Sequence, residues 1–107
     1  MAPLKNDSRS IKKFATDFAY TYRDCFCHYS QETYVRGFAK RHFETVCAIN
    51  EEEHGIKISA KNIKLFIDTF TEIQLQNIEV KKQEYIQRRK EEAEKARKGV
   101  KRKKGDN

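Results

Sequence analysis

From Ile11 onward apolar residues recur every three or four positions, and Ile11, Phe14, Ala15, Phe18, Tyr22, Cys25, Phe26 and Tyr29 share one stripe at helical periodicity. This spacing predicts a helix over residues 8–29, with Asp7 or Ser8 as its cap. A second stripe, Val35, Phe38, Ala39, His42, Val46 and Ile49, predicts a helix over residues 31–53 with Tyr34 and Phe43 at its margins. Ser30 reads as its cap and Gly55 as the left-handed residue that follows it. Only a sharp turn separates these two helices, so they pack as a hairpin or meet at an angle.

A third helix is expected over residues 59–99. Ser59 caps it, and Ile58 packs on Ile63 as a hydrophobic staple. Ile63, Phe66, Ile67, Phe70, Ile73 and Ile78 keep to one face, after which the stripe thins to Tyr85 and Ile86. Beyond Ile86 no apolar residue larger than alanine occurs before Val100. Helix formation is still favoured there by Glu84–Arg88, Glu91–Lys95 and Glu94–Lys98, acid-before-base pairs four apart, each contributing about 0.2–0.5 kcal/mol. With Gly99 as its stop the helix reaches about 60 Å at about 1.5 Å per residue, roughly twice what the shorter helices cover.

The fold expected is therefore all-α: a three-helix bundle-like domain with a long, protruding, basic C-terminal helix. Its parts are a flexible N-terminus (1–7), a helical core (8–80), and a basic helical extension with a disordered tip (81–107).

Charge sharpens the division. Residues 1–80 hold eleven basic and eleven acidic side chains, while residues 81–107 hold twelve and five, so the net charge of +7 sits entirely in the extension. A neutral body carrying a basic arm is the asymmetry expected of a protein that targets an anionic surface, and nucleic acid is the commonest one. The N-terminus lacks the apolar core of a secretory signal, and no stretch approaches the roughly eighteen uncharged apolar residues of a membrane span. Three cysteines, Cys25, Cys27 and Cys47, at no disulfide-framework spacing fit a reducing compartment. An intracellular protein is expected, nuclear in a eukaryote and otherwise cytoplasmic, with no membrane partner.

Motifs for catalysis are missing: no Gly-rich phosphate loop, nucleophile elbow or HExxH occurs, so no enzyme is expected. Cys25, Cys27, His28, His42, Cys47 and His54 have the chemistry of zinc ligands, but on a helix Cys25 and Cys27 point to opposite sides, so neither metal nor other cofactor is expected. His42 in mid-stripe reads as a buried histidine with a hydrogen-bond partner, and the phenylalanines, spaced helically, as core.

The tail is what remains. Arg88, Arg89 and Lys90, then Lys95, Arg97 and Lys98, then Lys101, Arg102, Lys103 and Lys104 form three cationic clusters suited to phosphate contacts, interspersed with glutamates except in the last. Arg88-Arg89 and the 101–104 cluster, eleven residues apart, also match a two-part nuclear localisation pattern. The expected function is non-enzymatic association with nucleic acid or a nucleoprotein complex. The alternative is an adaptor or inhibitor gripping a protein through Tyr20, Tyr34 and Phe43, off the core stripes, beside Glu51, Glu52 and Glu53.

The stretch His54-Gly55-Ile56-Lys57-Ile58-Ser59-Ala60-Lys61-Asn62-Ile63-Lys64-Leu65-Phe66 resembles the loop and start of the last helix in histone-fold proteins. The likeness spans thirteen residues. The chain departs from that fold in a first helix that is too long and a central helix about a turn or more too short.

Overall fold

Asp7 starts the first helix: its carboxylate accepts from the Ser10 N–H at 2.8 Å, which holds its acidity above that of a free aspartate. In the computed structural model, which describes the backbone of residues 2–106 and the side chains of residues 2–97, three helices follow. They are α1 (Ser8–Thr21), α2 (Glu32–His54) and α3 (Ala60–Asp106), with a 3-10 turn (Arg23–Cys25) after α1. Phe14 meets both Phe43 and Phe66, while Tyr22 meets Phe38, so α2 runs antiparallel to α1. Phe18 lies against Phe66 and Phe70, so α3 runs parallel to α1. Phe43 and Phe66 stack at 3.9 Å with their planes 4° apart, at the centre of the core.

Helix α1 ends eight residues before its expected limit. Tyr20, Thr21 and Tyr22 are weak helix formers, and Phe26 gains more by going extended (φ −121°, ψ 145°) and turning its ring onto Phe38 and Phe70. Carbonyls released by unwinding find donors on α3. The Gln74 amide donates to the Ala19 carbonyl at 2.7 Å, and the Lys81 ammonium donates to the carbonyls of Arg23 (2.8 Å) and Phe26 (2.5 Å). Cys25 and Tyr29, expected on the stripe, are exposed as a result. Ser30 is not the cap of α2 either: its hydroxyl accepts from the Cys27 N–H at 2.9 Å, and Gln31 takes the cap position with no side-chain bond.

The buried face of α2 is rotated from the expected stripe. Val35, Ala39, Phe43 and Asn50 are buried, whereas His42 is exposed and stacks on Phe38 at 4.2 Å. Two contacts drive the rotation: the Phe43–Phe66 stack and the bonds of Asn50. The Asn50 carboxamide accepts from the Leu4 N–H (2.8 Å) and donates to the carbonyls of Leu4 (3.0 Å) and Ile56 (3.1 Å). The N-terminal segment 1–7 is expected as a flexible end; its described part, residues 2–7, is bonded to the body at Leu4, whose side chain is buried in the core. Asn6 adds a second tie, accepting from the Ser59 N–H at 3.0 Å and the Asn62 amide at 2.7 Å.

The α2–α3 connection follows expectation. Gly55 is left-handed (φ 67°) with its N–H on the Glu51 carbonyl, and the Ser59 hydroxyl accepts from the Asn62 N–H. Helix α3 then runs through Gly99, its expected stop, to Asp106; one interior glycine costs only about 1 kcal/mol. The molecule measures 77 × 22 × 20 Å with a radius of gyration of 21.2 Å, against about 13 Å for a compact chain of this size.

Replacing Asn50 with alanine would leave both buried backbone groups of Leu4 and the part-buried Ile56 carbonyl without this partner. A loss of about 2–4 kcal/mol is expected in urea unfolding. An unchanged midpoint would mean that the N-terminal segment does not depend on this residue.

Candidate nucleic-acid interface

Among the described residues the last buried one of α3 is Ile78, and every residue over 82–97 is exposed. Helical geometry sorts the side chains of this segment onto two faces. The side that continues the core stripe carries Glu84, Arg88, Glu91 and Lys95, each three or four residues from an opposite charge, so it is close to neutral. The side turned away from the bundle carries Lys82, Lys90 and Arg97, with Ile86 and Ala93 between them, Arg89 at its margin five turns beyond the buried Thr71, and no carboxylate within the strip. Acids touch only its edges. Lys82 lies 3.9 Å from Glu79 and Arg89 lies 3.9 Å from Glu92, long and exposed pairs that contribute little. Lys90 and Arg97 have no ion pair among the described residues.

The sequence therefore located the cationic segment but not its division. Arg88 and Lys95 belong to the mixed face, while Arg89, Lys90 and Arg97 belong to the acid-free one. Lys98, Lys101, Arg102, Lys103 and Lys104 lie outside the described side chains.

Where the helix leaves the bundle, the α1–α2 connection grips it. His28 stacks on Tyr85 at 4.1 Å with an interplanar angle of 11°, one turn beyond the Lys81 bonds. Phe26, Cys27 and His28 face Lys81, Tyr85 and Arg88 across a small pocket of about 290 Å³. Sequence reasoning missed this grip because it placed residues 22–29 in a continuous helix.

No family model, no curated protein and no solved structure matches this chain. The likeness of residues 54–66 to histone-fold proteins is thus confined to a loop and a helix cap. Among the described residues, no helix is long and apolar enough to cross a membrane, and no group of three or more His, Cys, Asp or Glu side chains is placed to hold a metal ion.

The expected protein-binding patch is altered by the rotation of α2. Phe43 is fully buried against Phe66 and presents nothing to a partner, which corrects its assignment to that surface. Tyr20 (60% exposed) and Tyr34 (54%) remain accessible, and Glu51, Glu52 and Glu53 are exposed at the end of α2.

The cysteines also differ from expectation, because α1 ends before them: Cys25 closes the 3-10 turn and Cys27 lies in the connection beyond it. The Ser30 hydroxyl accepts the Cys27 N–H, which leaves its own hydrogen for the Cys27 sulfur 3.5 Å away; this contact lowers the thiol pKa and makes Cys27 more acidic than an ordinary cysteine. Burial, with a smaller effect of Glu44, pushes the Cys47 thiol up to about 11. Iodoacetamide at pH 8 is expected to label Cys27 at least about tenfold faster than Cys47 in the folded protein, and at equal rates in denaturant. Equal labelling of the native protein, read by peptide mass spectrometry, would contradict the Ser30 contact.

Proposed function

We propose that this protein binds nucleic acid, free or within a nucleoprotein complex, through the extension of α3, and catalyses no reaction. The observation that carries the reading is the acid-free cationic strip Lys82, Arg89, Lys90 and Arg97 on a stretch of helix whose residues 82–97 are all exposed. A helix is about 10–12 Å across with its side chains, so a strip on one side presents its ammonium and guanidinium groups together to a row of phosphates. Each such contact releases condensed counterions and is indifferent to base sequence. Ile86 and Ala93 keep the middle of the strip free of carboxylates. Lys98 and the 101–104 cluster extend the positive charge toward the C-terminus.

The reading of the helical body as an adaptor rests on Tyr20 and Tyr34, more than half exposed on two different helices. With Phe43 in the core, that surface lacks the buried-on-binding anchor that concentrates affinity in protein interfaces. The cationic strip is the stronger of the two surfaces.

Removing residues 88–107 should abolish a salt-sensitive gel shift, whereas a protein partner held by the body would still be captured by the truncated chain. The two faces separate in a finer comparison. Arg89→Ala with Arg97→Ala should flatten the log-affinity against log-salt slope by about two, while Arg88→Ala with Lys95→Ala should change it by much less. Equal effects from the two pairs would refute the strip as the contact surface.

A further inference from the structure

A second cationic cluster lies at the opposite end of α3. Lys61 and Lys64 in its first turns, together with Lys12 of α1, line an open cleft of about 490 Å³. All three are exposed and none has an ion pair among the described residues. The carboxylates that share the cleft are engaged elsewhere: Asp7 holds the Ser10 N–H and hydroxyl, and Asp68 holds the Arg36 guanidinium at 2.8 Å.

Helical phase ties this cluster to the strip on the extension. Lys61 and Arg97 are thirty-six residues apart, which is ten full turns, and Lys64 and Lys82 are eighteen apart, which is five. All four therefore point to the same side of one continuous helix. The distance from Lys61 to Arg97 is about 54 Å, the length of about 16 base pairs of duplex at about 3.4 Å each. The centre of the Lys61/Lys64 pair lies about 40 Å from the centre of the Arg89/Lys90 pair, close to the roughly 34–36 Å of one duplex turn given the reach of the side chains.

Between the clusters the same side carries Asp68, Glu72 and Glu79. Asp68 shares the Arg36 guanidinium with Glu32, and Glu79 lies 3.9 Å from Lys82. A duplex lying alongside a straight rod brings a given strand closest once per turn, and this acidic middle lies between two such approaches of that strand.

We infer that α3 acts as a two-point ruler on duplex nucleic acid, with Lys12, Lys61 and Lys64 holding one stretch of backbone and Lys82, Arg89, Lys90 and Arg97 holding the next, one helical turn away. The inference rests on the reading of the extension as a nucleic-acid-binding element and adds to it a substrate class, a minimum length and three residues on the body. Single strands, which lack a fixed rise and turn, gain nothing from the spacing.

The test is fluorescence anisotropy of the full-length protein with duplexes of 10, 16 and 24 base pairs and unrelated sequences, over a series of salt concentrations. Affinity should rise at least about tenfold from 10 to 16 base pairs and little more to 24. The log–log salt slope should steepen by about two to three as the longer duplexes engage the extra lysines. Changing Lys12, Lys61 and Lys64 together to alanine should remove the length gain and the added slope while leaving 10-base-pair binding within about twofold; the same three positions changed to arginine should restore both. A triple-alanine protein that keeps the wild-type length dependence overturns this inference alone, as does wild-type affinity that does not grow with length. Failure of the wild-type chain to bind any duplex overturns the underlying reading as well.

Discussion

An α-helix satisfies its own backbone hydrogen bonds, so it can outlast the core that it helps to form. Helix α3 depends on this property. Through Ile78 its phenylalanines and isoleucines are the central element against which α1 and α2 pack; past Tyr85, where His28 makes the last ring contact among the described residues, the same ladder of backbone bonds continues with exposed side chains through residue 97. A sheet could not make this transition, because an isolated strand leaves its amides and carbonyls unpaired. The body and the extension are one rod of secondary structure, and every functional feature takes its position from that rod.

The junction is held by polar groups as much as by apolar ones. Gln74 and Lys81 lie seven residues apart on α3 and both donate to carbonyls of the turn that closes α1. Interdigitated side chains set the approach and rough register of α1, and directed bonds to named carbonyls help to fix its axial position. Asn50 acts likewise at the other end, where it bonds both backbone groups of Leu4. The bundle is pinned at both ends by side chains that read main chain, with stacked rings between.

Much of this was legible in the sequence. Three helices, the Gly55 stop, the Ser59 start and the change from apolar stripe to charged helix all follow from periodicity and capping chemistry. What was not legible came from tertiary partners. Phe26 leaves the helix because Phe38, Phe70 and Lys81 wait for it, and nothing near position 26 announces partners on two other helices. Phe43 was placed at a margin because a hydrophobic wheel gives no weight to asparagine, and Asn50 is the residue that completes its face. The cationic clusters were visible as composition; that Arg89 and Arg88 look in different directions requires the helix to be continuous and in known phase. Lys12, Lys61 and Lys64 drew no attention because they are scattered in sequence and meet only when α1 and α3 lie parallel.

Continuity between bundle and extension also makes α3 a lever without a hinge. No glycine or proline interrupts it from Ala60 to Lys98, so anything that grips the far portion fixes the attitude of the bundle too. Moving the grip from Lys82 to Arg97 shifts the bundle by about 22 Å along the axis and turns it by about a sixth of a revolution. The protein therefore carries its three-helix head at a set height and azimuth above whatever it stands on, and changes both together, like a nut on a thread.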